Sequence, residues 1–212
     1  IYLEKECPQH GFYRIIIWRG TPSFSSWVRP KLPSHPQSPF TNVERGCPHD
    51  CGLCPDHRQQ PCCVLLDVTQ ACDLGCPICF ADAGKRNPEN EPKIADIETW
   101  YKNLLLAGGP FNIQFSGGEP SLRDDLPEII ALGKSLGYSF FQLNTNGLRI
   151  ARDIRYLQKL KDAGLCTVYL QFDGTNDEIY QTIRGKALFQ EKQQAIENCA
   201  IVGLGVILVP TL

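Results

Sequence analysis

From Cys63 onward the chain alternates between short apolar runs and longer amphipathic ones. CVLLDV, FNIQF, YSFFQL and CTVYLQF are too short for helices and rich in β-branched or aromatic residues, so each reads as a strand. Between them lie ADIETWYKNLLLA, DDLPEIIALGKSLG and ARDIRYLQKLKDAG, whose apolar residues recur at three- and four-residue spacing. FQEKQQAIENCAIVG continues the series as a helix, and VILVP opens a fifth strand. Such repetition makes a parallel sheet with right-handed helical crossovers, an α/β fold. Periodicity leaves open whether that sheet curls into a barrel or stays open and doubly wound. In the first helix, Asp96 is the expected N-cap, with Ile97, Trp100, Leu104 and Leu105 on the buried stripe. In the second, Pro127 falls in the first turn and Gly137 just past the end. Cys166 and Cys199 read as small apolar core residues.

Upstream the character changes. Residues 1–20 read as two short β segments joined by CPQHG, and residues 21–46 carry five prolines among Ser and Thr. Prolines that dense block both helix and sheet ladders and predict an extended linker. Residues 47–62 form a cysteine-rich segment, and residues 63–212 form the α/β unit. The strand that opens at Ile1, the lack of any Met, and the apolar run VILVPTL at the far end point to a piece of a longer protein. A net charge of −2 argues against a nucleic-acid surface built on excess positive charge. No apolar run approaches the roughly 18–20 residues that span a bilayer.

Eleven cysteines, an odd number, fall mainly in two C-x3-C-x2-C clusters. This arrangement suits metal binding in a reducing compartment, the cytoplasm, better than a disulfide framework, which is the alternative. In CDLGCPICF, Cys72, Cys76 and Cys79 supply three soft ligands with no fourth nearby. A structural zinc site closes with four protein ligands, and a [4Fe–4S] cluster takes one thiolate per iron. Three ligands leave one metal position open for a group that is not protein. The other strand ends carry polar residues: SGGEP after the second, NTNG after the third, QFDG at the fourth. In a parallel βα fold these ends share one face, where such folds bind ligands. Taken singly, SGGEP and NTNG also fit ordinary turns.

The loop CDLGCPICF resembles the radical S-adenosylmethionine (SAM) motif, C-x3-C-x-φ-C, with Ile78 at φ and Phe80 after the last cysteine. The resemblance implies a partial (β/α)6 barrel, truncated after the fifth strand, behind an N-terminal cysteine-rich metal-binding extension. It implies a [4Fe–4S] cluster on Cys72, Cys76 and Cys79 whose open iron chelates SAM, and reductive cleavage to a 5′-deoxyadenosyl radical that abstracts hydrogen from an unactivated C–H bond. It implies an electron donor such as ferredoxin or flavodoxin. By the same resemblance Gly117, Gly118 and Glu119 meet the methionyl amine. Asn144, Thr145 and Asn146 offer hydrogen bonds to carboxylate or ribose, and Gln171 and Asp173 are placed for the ribose hydroxyls.

Cys47, Cys51, Cys54 and Cys62 can fully ligate an auxiliary [4Fe–4S] cluster or one zinc, with Cys63 an alternative to Cys62. Cys7 and His10 form half of a mononuclear iron or zinc knuckle, for which a plain β-turn is the competing reading. The order of CPQHG, proline-rich arm, GCPHDCGLCPDH, DVTQACDLGCPICFADAG, VYLQFDG and IRG resembles the archaeal tetraether lipid synthase group and its radical SAM relatives. That likeness implies coupling of isoprenoid lipid chains, with peripheral membrane contact. The alternatives are a radical SAM peptide maturase or methylase on a small-molecule substrate, and, from another class, a non-catalytic zinc or iron–sulfur module.

Overall fold

The structure, a computed structural model, describes residues 1–27, 34–50, 54–59, 61–77, 79, 81–84 and 91–211. Two compact units divide it, Ile1–Ser34 and His35–Leu212. The first is an antiparallel hairpin of β1 (Tyr2–Cys7) and β2 (Gly11–Ile16), paired from Tyr2 with Ile16 to Cys7 with Gly11. Gly11 closes the turn at a φ of 83°, a conformation glycine adopts without a Cβ clash. A single 3₁₀ turn, Phe24–Trp27, interrupts the stretch expected to be wholly extended.

In the second unit five parallel strands lie in chain order: β3 (Cys63–Thr69), β4 (Asn112–Gly117), β5 (Phe141–Thr145), β6 (Leu165–Gln171) and β7 (Gly205–Val209). Order without reversal lacks the switch point of a doubly wound sheet. Alternate residues of these strands, among them Val68, Ile113, Phe115, Leu143, Val168 and Leu170, sit in one core with residues from the helices. The helices are α1 (Ile94–Leu106), α2 (Leu126–Ser135), α3 (Leu148–Arg152), α4 (Ile154–Ala163), α5 (Asp177–Arg184) and α6 (Phe189–Val202). Helices on one face and consecutive strands are the arrangement of a curling sheet, in agreement with a partial barrel. Because strand side chains alternate, the opposite face carries Leu65, Asp67, Gln114, Ser116, Gln142, Asn144, Thr167, Tyr169 and Gln171.

Several local expectations give way. Helix α1 starts at Ile94 with Lys93 as its N-cap; Asp96, at the third helical position, accepts a 2.8 Å bond from the Lys93 N–H instead of capping. The predicted third helix is two, because Asp153 ends α3 and caps α4 by accepting from the Tyr156 N–H at 2.9 Å. Helix α5 was not expected at all. Cys199 is buried in the core, but Cys166 is only partly buried, its thiol set against the carbonyls of Gly164 and Ser139. Among the described residues no helix is long and apolar enough to cross a membrane.

Candidate SAM and iron–sulfur site

The cysteine loop leaves the C-terminal end of β3 and is closed at its base. Ala71 bridges Gly84, the Cys72 N–H donates to the Gly84 carbonyl at 2.8 Å, and the Gly84 N–H returns to Gln70 at 3.1 Å. Leu74, between the first two cysteines, is buried with Leu148, Tyr180 and Leu188, and Cys72 and Cys76 pack against that group. Cys79 is exposed, and Ile78 and Phe80 lie outside the described residues. Among the described residues no three His, Cys, Asp or Glu side chains gather closely enough to hold a metal ion.

The SGGEP segment is welded to the base of this loop. The Gly118 N–H donates to Thr69 at 2.8 Å and the Glu119 N–H to Ala71 at 2.7 Å. A Cβ on Gly117 would lie 2.1 Å from the Thr69 carbonyl oxygen, and one on Gly118 2.2 Å from that of Ala71. The glycines therefore let two strand ends touch; in this structure the close approach is to backbone, where the sequence suggested a ligand. Glu119 is 1% exposed, and its carboxylate accepts from the Ser121 N–H and hydroxyl, the Thr145 hydroxyl and the Asn146 N–H. Burial pushes its carboxyl up, while those four donors pull it back.

Asn146 joins the segments. Its N–H reaches Glu119 at 2.6 Å, its side-chain Nδ2 donates to Asp73 at 2.8 Å, and its Oδ1 accepts from the Leu148 N–H at 2.9 Å, starting α3. Thr145 is buried, and Asn144, which points to the opposite face of the sheet from Leu143, is partly buried. At the end of β6, burial pushes Asp173 upward, but bonds from Arg184 and Thr211 outweigh it and hold the carboxyl below its ordinary value. Arg184 grips Asp173 with two nitrogens at 2.8 and 2.9 Å, and its Nη1 lies 3.9 Å from the Cys76 sulfur. Lys186 reaches the Asp73 carbonyl at 3.2 Å. All four strand ends thus bear on the cysteine loop. The sequence profile described as Radical SAM superfamily matches residues 66–212.

The chain belongs to the radical SAM superfamily. Enzymes of this family use a [4Fe–4S] cluster and SAM. The 7,8-dihydro-6-hydroxymethylpterin dimethyltransferase of Methanocaldococcus jannaschii is 44% identical over 214 residues, covering 100% of this chain and 42% of that protein. The Fe-coproporphyrin III synthase of Methanosarcina barkeri is 35% identical over 147 residues, 68% of this chain and 35% of that one. The chain thus spans less than half the length of these relatives. Among solved structures, anSMEcpe with bound AdoMet has a TM-score of 0.57 at 23% identity, covering 70% of this chain and 43% of that one, a likeness of fold. None of these names bears on tetraether lipids.

The sequence singled out the cysteine loop and the strand-end segments, IRG among them, but gave no individual role to Asp73, Arg184 or Lys192. Lys192 on α6 is 0% exposed and donates from its Nζ to the Asn146 carbonyl. A signal existed: Lys192, Ala195, Cys199 and Val202 fall on one buried helical stripe, where a lysine is out of place.

Cys47 and Cys62 are exposed, Cys54 is partly buried, and Cys51 lies outside the described residues. The Asp50 carboxylate collects the N–H groups of Glu44, Arg45 and Gly46 at 3.0, 2.7 and 2.6 Å, folding the segment onto itself. Cys63 opens β3 with its thiol 3.7 Å from the Gln142 amide oxygen. Cys7 Sγ and His10 Nδ1 meet at 3.2 Å across the hairpin turn.

Proposed function

We propose that this chain is the SAM-cleaving core of a radical SAM enzyme that abstracts hydrogen from an unactivated C–H bond. The observation that carries the reading is the cross-linking of the cysteine loop to the other strand ends through Asn146, Glu119, Arg184 and Asp173. Cys72, Cys76 and Cys79 would hold the cluster; the donor set fits, being three thiols on one closed loop with a guanidinium beside Cys76. When bound, the cluster supplies the electron that splits SAM to a 5′-deoxyadenosyl radical. The chain's own work is positioning. Asn146 fixes the loop through Asp73, Glu119 offers a carboxylate for the methionyl amine, and Asn144 and Gln171 face the open side of the sheet. Ferredoxin or flavodoxin as electron donor and a cytoplasmic setting belong to the same reading.

For the substrate, the dimethyltransferase relative supports methylation of a pterin-like ring, and the cysteine-motif order supports coupling of isoprenoid lipid chains. Both reactions begin with the same hydrogen abstraction. The carboxamides and hydroxyls of Gln114, Gln142, Asn144 and Tyr169 on the helix-free face suit a ligand with polar edges more than a hydrocarbon chain. An auxiliary cluster on Cys47, Cys51, Cys54 and Cys62, and a mononuclear iron or zinc site at Cys7 and His10, are further parts of the proposal.

The test is anaerobic reconstitution of the full-length protein, with iron and sulfide counted and deoxyadenosine assayed with reductant. Deuterated pterin and isoprenoid lipid are then offered in parallel, and the labelled product identifies the substrate class. A zinc or iron–sulfur module without catalysis would release no deoxyadenosine and would be indifferent to Glu119→Gln.

A further inference from the structure

The C-terminal turn of α5 is seated on the cysteine loop at several points. Tyr180 shares a buried apolar cluster with Leu74. Gly185 ends the helix at a φ of 74°, and a Cβ there would lie 3.6 Å from the Pro77 ring. Lys186 donates to the Asp73 carbonyl at 3.2 Å, and Arg184 Nη1 lies 3.9 Å from the Cys76 sulfur.

The guanidinium of Arg184 is aimed, not merely near. Its Nε and Nη2 grip the two Asp173 oxygens at 2.8 and 2.9 Å, and Nη2 also donates to the Thr211 hydroxyl at 2.7 Å. The Asp173 side chain is fully buried and accepts from the Thr211 N–H at 3.1 Å. Gln171 presents its carboxamide oxygen to the same guanidinium. A planar fork gripped along one edge has its remaining N–H directions fixed, and here one of them meets Cys76. The other basic side chains around the loop end on oxygen. Arg149 goes to the Ser121 carbonyl and Asp124, Lys186 to the Asp73 carbonyl, and Lys192 to the Asn146 carbonyl. The Arg184 side chain is 11% exposed, so water and salt screen its charge little.

Charge nearby and hydrogen bonds to the ligating sulfurs set the reduction potential of an iron–sulfur cluster. Reduction adds one electron, so a cationic donor at one thiolate favours the reduced form over the oxidised one. Asp173 tempers that charge, but it is the N–H and not the carboxylate that faces the sulfur. We propose that Arg184 is a potential-setting residue, whose Nη1 donates to the Cys76 thiolate and makes the cluster easier to reduce by one electron from its external donor. This role rests on the radical SAM reading, which places an iron on Cys76.

The test is an anaerobic redox titration of cluster-loaded full-length protein without SAM, read from the spin-resonance signal of the reduced cluster. Cys72→Ala supplies the baseline from any other cluster. At a fixed applied potential, Arg184→Met should lower the ratio of reduced to oxidised loop cluster about tenfold, equivalent to about 59 mV for one electron. Arg184→Lys, which keeps the charge and loses the fork, should recover part of that ratio. Lys186→Met removes an exposed cation that ends on a backbone oxygen, and should move the ratio less than about twofold. Because Arg184→Met leaves Asp173 buried without its cation, the double variant Asp173→Asn with Arg184→Leu serves if the single one loads no cluster, and its ratio should fall too. A ratio unchanged by loss of Arg184 at equal iron content, or moved as much by Lys186→Met, would overturn the proposal and leave the radical SAM reading intact. A wild type whose titration matches that of Cys72→Ala would overturn the reading itself.

Discussion

The two C-x3-C-x2-C segments have the same spacing and opposite support. The segment at Cys72, Cys76 and Cys79 grows from a strand end, and partners from three later strand–helix junctions hold it: Asn146 after β5, Arg184 after β6, and the Gly118–Glu119 turn after β4. The segment at Cys47 and Cys54 is organised from within, by one carboxylate collecting three neighbouring N–H groups. Spacing dictates how thiols can converge; mounting decides what else can meet them there. A loop anchored at a parallel sheet's mouth shares its surroundings with every crossover, which suits bound cofactor and substrate. A segment tied to itself, as the described residues 44–50 are, suits a metal that its own thiols fully ligate.

The largest effect should come from removing ligands on each side of that contrast. Cys72→Ala should abolish deoxyadenosine formation and the SAM-induced change in the spin-resonance spectrum of the reduced cluster. Cys47→Ala should lower iron content by up to about four atoms per chain, the share of one cluster, and keep that SAM-induced change. If the two variants behave alike, the division of labour is wrong.

Next in size is the weld between SGGEP and the loop base. Gly118→Ala drives a Cβ to 2.2 Å from a backbone oxygen that has little freedom to retreat. Chemical denaturation should show a loss of about 2–4 kcal/mol. Gly46→Ala, beside the other cysteine segment, meets no atom within 4 Å and suffers only its φ of 79°, about 1 kcal/mol. Asn146→Ala comes third. It removes the bond to Asp73 and the cap on Leu148, about 1–2 kcal/mol together, and should lower deoxyadenosine yield about tenfold by loosening the loop. Asp50→Ala should instead affect iron retention at the other segment alone.

How far the sequence foretold this contrast depended on whether a signal was local. Strands β3 to β7 were legible because five-residue apolar runs bounded by turns leave little choice, and the cysteine loop because its spacing is contiguous. Helix α5 was missed although Asn176 caps it, Asp177 and Glu178 open it and Gly185 ends it; its single buried residue, Tyr180, gives too thin an apolar stripe. The break at Asp153 lay inside an unbroken helical pattern, and only the cap geometry reveals it. The partners of Glu119 and Asp73 come from residues 26, 27 and 73 positions away, contacts that no local pattern encodes. Lys192 was the near miss, since its place on the stripe of Ala195 and Cys199 was there to read.

The smallest effect tests whether the mouth, unlike the self-tied segment, carries a buried charge at a cost. Lys192 has its pKa lowered by burial from 10.5 to about 8. Between those values the unfolded chain binds a proton that the folded chain releases, so stability rises with pH. Below pH 8 both states are protonated and the penalty is at its full size; it fades as pH climbs toward 10.5. Between pH 7 and 9 the gain should be about 1 kcal/mol relative to Lys192→Met, in which the dependence is absent. Urea unfolding of both proteins at matched pH values measures the difference directly. A flat difference would mean that the ammonium is already compensated in the folded chain.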